Sequence, residues 1–400
     1  MGENRTSDRV NSYVPSLEGV RGYGFLLVFC GHYFLPFQLA DPGTVKYGIF
    51  VSLTSLAAFA VPAFFVLSGY LIGGILYDAR NREGYFRVFY TRRILRLFPV
   101  YYLALLAIYV FYKLHGIVPG YRFWAHFFYI QNLLPGYFAS AQDGPVGMLH
   151  LWSLAVEEQF YLFWPVVVWF FPDRRKLIKI ASGFVLCGVA LRALAPLVAT
   201  DVRQYAYFTP VRVDAILLGV VLALIRDGRT YRRLEPIAKW VLLGAVGMAI
   251  TLVAWKGREW GGSAFWREEI SILLPDIVGV AAVIAVQERN SLLHRACSLS
   301  WACWLGGLSY SAYVFHVTFA PFFFHVVAVR LSAHIRPHFA VIISGLLALC
   351  LTLLLSVLSK ICIEGPIMNL KRNLRYGPEM PVNARSAGSK EQEILVSNVA

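Results

Sequence analysis

His150-Leu151-Trp152-Ser153-Leu154-Ala155-Val156-Glu157-Glu158-Gln159-Phe160-Tyr161 opens an apolar run that continues to about residue 171. A helix of about 20 residues is long enough to cross the roughly 30 Å hydrocarbon core of a bilayer. Two adjacent carboxylates in such a run cannot both face lipid cheaply. Neighbouring helical residues point about 100° apart, so only one of the pair faces any given cavity. The competing reading has both carboxylates paired with arginines inside the bundle.

Working outward, similar runs lie near 19–39, 49–76, 97–114, 178–199, 205–225, 237–255, 270–286, 302–328 and 339–362. Pro321 is expected to break the run 302–328. Of the 400 residues, 58% are hydrophobic and only 15% charged, against about 25% charged in soluble domains. A soluble enzyme, a disordered chain and a disulfide scaffold are all excluded. The fold class read from this pattern is an all-α integral membrane protein of about ten transmembrane helices.

The net charge is +14. With both termini cytoplasmic, most Lys and Arg fall on the inner side, including the arginines between Arg80 and Arg96. The basic balance is therefore topology, and no nucleic-acid motif accompanies it. The organisation expected is a cytoplasmic N-terminal segment (1–15), a ten-helix membrane domain (16–370) and a disordered cytoplasmic tail (371–400). The six cysteines show no metal-ligand spacing, so neither a disulfide framework nor a metal site is expected. In the outer loop 115–149, the stretch Trp124–Asn132 is too short to span and reads as an interfacial or re-entrant helix.

Ionisable groups at bilayer depth are costly and mark candidate sites. Arg21 and His32 are eleven residues apart, which places them on one helix face with a rise of about 16 Å between them. A neutral imidazole there can accept a proton. With Glu157, Asp214 and His316, His32 is expected to form one polar layer near mid-depth. Arg212 and Asp214 read as a structural ion pair. Arg93 and Arg96 share a face at i,i+3, and with Arg92 they offer a cytoplasmic phosphate-attracting patch. Ser68, Glu158 and Tyr310 complete the polar set. The picture suits group transfer from a cytoplasmic phosphorylated donor, and it equally suits a proton-coupled transporter or flippase.

At these residues the chain resembles the acyltransferase 3 family of bacterial integral-membrane acyltransferases. The resemblance is carried by Leu17-Glu18-Gly19-Val20-Arg21 with His32, Phe64-Phe65-Val66-Leu67-Ser68-Gly69-Tyr70-Leu71-Ile72, Arg92-Arg93-Ile94-Leu95-Arg96-Leu97-Phe98-Pro99, Trp152–Tyr161, Arg212-Val213-Asp214-Ala215, Ser309-Tyr310-Ser311-Ala312-Tyr313 and Glu364-Gly365-Pro366. Glu18 stands where the family usually has Asp. The resemblance implies a membrane-bound O-acyltransferase of the bacterial inner membrane. Its donor substrate would be acyl-CoA, commonly acetyl-CoA, with no permanently bound cofactor. The acceptor would be a hydroxyl of a saccharide or glycosylated molecule, with polysaccharide-assembly proteins as partners. By the family's motifs, His32 is the catalytic histidine, Arg21 its partner, Glu157 an important acid, and Arg93 and Arg96 the CoA-phosphate arginines. The aromatics Trp124, Phe127, Phe128 and Tyr129 are candidates for stacking on a sugar.

Overall fold

The computed structural model describes residues 14–34, 56–134, 146–198, 207–256, 264–370 and 374–379. These residues are helical almost throughout, and each of the apolar runs carries a helix. In chain order these are α1 (Pro15–Tyr33), α2 (Ala60–Ala79), α3 (Tyr85–Leu114), α4 (Tyr121–Ala125), α5 (Trp152–Phe170) and α6 (Arg174–Val198). They are followed by α7 (Thr209–Arg212), α8 (Asp214–Ile225), α9 (Arg229–Lys256), α10 (Ala264–Ala285) and α11 (Leu292–Cys297). The last are α12 (Ser300–His316), α13 (Ala320–Ser332) and α14 (Pro337–Leu370).

Among the described residues, four helices are long and apolar enough to cross a membrane, or five if the bent α12–α13 pair counts as one span. That is fewer than the ten expected from hydropathy. One reason is that the run 205–225 is two short helices, α7 and α8, joined at Val213. The run 302–328 bends by 67° between α12 and α13, just before Pro321. Helix α3 goes the other way and starts at Tyr85, well before the apolar stretch at 97–114. Long arginine stems lie along the helix while their charged ends reach polar surroundings, so the basic segment stays helical.

Helix contacts are set by small residues, as expected where lipid supplies no hydrophobic drive between helices. At the α2–α8 crossing, a Cβ on Gly69 would fall 1.8 Å from the Ile216 carbonyl oxygen. At the α1–α12 crossing, a Cβ on Gly306 would fall 2.0 Å from the Glu18 carbonyl oxygen. Only glycine permits either approach. The second crossing brings α1, with Arg21 and His32, against the helix that carries Tyr310, Tyr313 and His316.

The stretch expected as one interfacial helix is instead α4 followed by two single 3-10 turns, His126–Phe128 and Gln131–Leu133. Hydroxyls of α3 hold the first turn: Tyr101 donates to the His126 carbonyl at 3.0 Å and Tyr102 to that of Phe127 at 2.8 Å. Tyr129, at φ 52°, is buried and stacks on Tyr101 with centroids 4.3 Å apart. It is thus core rather than a sugar platform, whereas Phe128 is 73% exposed. Part of the expected disordered tail is also ordered. Leu374–Glu379 docks on the α2–α3 turn, where the Gly377 amide donates to the Glu83 carbonyl and the Glu83 amide to that of Pro378, both at 3.1 Å. Burial there pushes the Tyr376 hydroxyl pKa up. The rest of the tail, and residues 1–13 of the N-terminal segment, lie outside the described residues.

Candidate active site

A cavity of about 230 Å³ opens between α1, α2, α3, α5 and α12. One end is charged. Glu18 and Arg21 reach it from α1, Arg93 and Arg96 from α3, and Glu157 from α5. The continuous helix through Pro99 puts Arg93 and Arg96 one turn apart on the inward face. Arg21 forms a loose pair with Glu18 at 3.4 Å. Among the described residues, Arg93 and Arg96 have no carboxylate within 4.0 Å. Arg93 instead lies over the Tyr161 ring, 5.8 Å from its centroid. Three guanidinium groups thus face two carboxylates, and the surplus positive charge suits an anion with several oxygens.

Glu157 is anchored through hydroxyls. Tyr161 lies one turn along α5 and donates its proton to Glu157 Oε2 at 3.2 Å. A phenol has a single proton, so the 2.5 Å contact between Ser68 Oγ and the Tyr161 oxygen has Ser68 as its donor. The chain Ser68–Tyr161–Glu157 therefore points its polarity at the carboxylate.

The other end is apolar and aromatic, lined by Val61, Phe64, Leu154 and Tyr313. Beyond Tyr313 three histidines meet. The His316 ring is 5.0 Å from those of both His32 and His150, and 5.3 Å from that of Tyr313. His316 and His150 are buried and His32 is half-buried. Tyr313 also bridges to α5: its hydroxyl donates to the His150 carbonyl at 3.1 Å and meets Ser153 Oγ at 2.7 Å.

The structure thus brings Arg21, Arg93, Arg96, Glu157, Ser68 and Tyr310 to the cavity wall. His32 and His316 pair with each other at the far side of Tyr313, outside the lining. Glu158, next to Glu157 on α5, also lies outside it. Arg92 faces the opposite way: its Nε donates to the Leu374 carbonyl at 3.0 Å, and its guanidinium lies 5.4 Å from the Tyr376 ring centroid.

Asp214 and Arg212 are displaced from the expected layer and from each other. Residues two apart on a helix point to opposite sides, so an ion pair at that spacing is disfavoured. Asp214 instead pairs with Arg192 of α6, Nη1 to Oδ2 at 2.5 Å, with side chains 1% and 3% exposed. Arg212 lies over the Trp152 ring at 5.5 Å. Asp276 of α10 is buried within electrostatic reach of all three. The polar layer expected from His32, Glu157, Asp214 and His316 is therefore divided among three places: His32 with His316, Glu157 at the cavity wall, and Asp214 with Arg192.

Sequence reasoning gave no role to His150, Ser153, Tyr161, Tyr313, Arg192 or Asp276. The signal for Tyr161 was its i,i+4 spacing from Glu157. Arg192 and Asp276 were visible as ionisable residues inside apolar runs.

The acyltransferase-domain family model matches residues 14–360. The chain belongs to the acyltransferase 3 family. It is 29% identical over 333 residues to a peptidoglycan O-acetyltransferase of Listeria monocytogenes, covering 78% of this chain and 50% of that protein. A protein of Bacillus subtilis named as a putative peptidoglycan O-acetyltransferase is 28% identical over 329 residues, covering 76% and 48%. A putative O-acetyltransferase of Staphylococcus aureus strain COL is 25% identical over 325 residues, covering 76% and 50%. The chain therefore spans about half the length of the curated relatives it matches. No solved structure matches.

Proposed function

We propose that this chain is a membrane-bound O-acyltransferase that moves an acetyl group from acetyl-CoA to a hydroxyl of a cell-envelope saccharide. The observation that carries the reading is the two-ended cavity. Unpaired arginines line one end, and at the other Tyr313 packs against His316, the hydrogen-bond partner of His32.

Arg93 and Arg96 hold the donor's phosphates. The long, thin pantetheine arm runs along the apolar end, and the thioester comes to His32. His32 Nδ1 lies 2.9 Å from the Val28 carbonyl. A carbonyl only accepts, so Nδ1 carries the proton and Nε2 presents a lone pair. That nitrogen takes the proton of the acceptor hydroxyl as its oxygen attacks the thioester carbon. The C–S bond then breaks, and the same proton passes to the departing thiolate. Glu157 and Arg21 set the electrostatics at the donor's end of the site.

In this reading about ten helices span the bacterial inner membrane with both termini in the cytoplasm, so the arginine end faces the acyl-CoA pool. The acceptor is a glycan sugar, in line with the peptidoglycan O-acetyltransferase names of two relatives. The same buried groups would serve a proton-coupled transporter or flippase, a reading that the family match does not favour. Purified protein incubated with radiolabelled acetyl-CoA and peptidoglycan, lipopolysaccharide or exopolysaccharide fragments separates the two. Label in the saccharide ester is expected. A protein that binds no acyl donor and moves protons down a saccharide gradient would overturn the enzyme reading.

A further inference from the structure

We propose that His316 is the positioning residue of His32, fixing its tautomer and stabilising its protonated form. This inference rests on the reading of His32 as the general base, and deepens it.

The assignment comes from the hydrogen bonds of the two rings. His316 Nδ1 lies 2.7 Å from the Tyr313 carbonyl, an acceptor only, so this nitrogen is the donor. In the neutral ring, His316 Nε2 is then a bare acceptor. It points at His32 Nδ1 from 3.3 Å. His32 Nδ1–H is therefore shared between the Val28 carbonyl and His316 Nε2. Both acceptors favour the tautomer that leaves His32 Nε2 free.

The acceptor pair gains strength when His32 takes its proton. The proton leaves the saccharide hydroxyl for Nε2, and the imidazolium then donates from Nδ1 to two neutral acceptors through charge-assisted bonds. Passing the proton to the thiolate restores the starting tautomer. The arrangement parallels the general design in which a second group holds a catalytic imidazole in one tautomer, with an uncharged imidazole in the place of a carboxylate. A neutral partner suits a buried site, because it adds no second charge to be desolvated.

The surroundings hold His316 rigidly. It is fully buried, and the Phe25 and Phe29 rings lie 6.0 and 6.4 Å from its own. Tyr33 donates to its backbone carbonyl at 2.6 Å. His150 packs on its other side, and its Nε2 donates to the Val314 carbonyl at 3.2 Å. The 67° turn between α12 and α13 follows directly. Helix α12 thus ends where the imidazole is needed, and the chain then departs.

The test compares His316→Gln with His316→Leu in the purified full-length protein. Gln keeps an acceptor oxygen, and Leu fills space without one. We expect His316→Leu to lower kcat for acetyl transfer roughly 10- to 100-fold with the KM for acetyl-CoA unchanged. His316→Gln should recover most of that loss. Equal kcat in the two variants, or a kcat for His316→Leu within about threefold of the unaltered protein, overturns the inference. A second measurement needs no folded variant of His316. In the unaltered protein labelled with 15N-histidine, the His32 resonances, identified by their loss in His32→Gln, should report the Nδ1–H tautomer; an Nε2–H tautomer overturns it. If His32→Ala transfers acetyl normally, the reading of His32 fails. If His32→Ala is inactive while His316→Leu is not, only this inference fails.

Discussion

Two clusters of arginine and carboxylate lie within the same bundle and behave oppositely. In the first, Arg192 and Asp214 are sealed at 2.5 Å with Arg212 and Asp276 beside them. In the second, Arg21 meets Glu18 only at 3.4 Å, with about a fifth of each side chain exposed, while Arg93 and Arg96 face open space. Residue type does not separate them. What separates them is that the first holds a close, sealed ion pair, whereas the second borders an open cavity. A sealed pair ties α6 to α8, whereas unanswered cations beside a cavity leave room for a ligand's charge.

The sharpest way to break this contrast is through Asp214. Asp214→Asn removes the sealed partner of Arg192, and breaking a buried pair costs about 3–5 kcal/mol. Thermal unfolding in detergent should show a large loss of stability. An unchanged melting temperature combined with lost transfer would make the sealed cluster part of the site. A smaller effect of a different kind is expected from Arg93→Ala and Arg96→Ala. Each removes a charge-assisted contact to phosphate, worth about 1.5–3 kcal/mol. The KM for acetyl-CoA should rise roughly 10- to 100-fold at unchanged melting temperature. Arg93→Lys should restore part of this, because a point charge replaces a forked donor. A fall in stability with unchanged KM would place these arginines in the structural class. The smallest effect belongs to Arg92→Ala, which removes one of the contacts that hold the Leu374–Glu379 segment. It should cost about 1 kcal/mol of stability and leave transfer within about threefold. A KM change as large as that of Arg93→Ala would extend the donor site to the outer face of α3.

The sequence carried the helix positions well, because lipid demands long apolar runs and those runs are unmistakable. The face shared by Arg93 and Arg96 was also legible, because i,i+3 spacing fixes it. The partners of charged residues were not. Asp214 met Arg192 rather than Arg212, and nothing in linear spacing joins residues of α6 and α8. Depth was misleading for the same reason. His32, Glu157, Asp214 and His316 share a depth in the sequence pattern, but depth says nothing of which side of a helix a residue takes. The neighbours of His32 were hidden in the same way, because α1 meets α12 through a glycine contact between Gly306 and Glu18.

The most direct test is a single-turnover assay of His32→Ala at saturating radiolabelled acetyl-CoA, with donor binding measured alongside. If the cavity and the histidines beyond Tyr313 form one acyl-transfer site, the variant binds donor normally and transfers at least about 100-fold more slowly. Transfer at the unaltered rate would contradict the account.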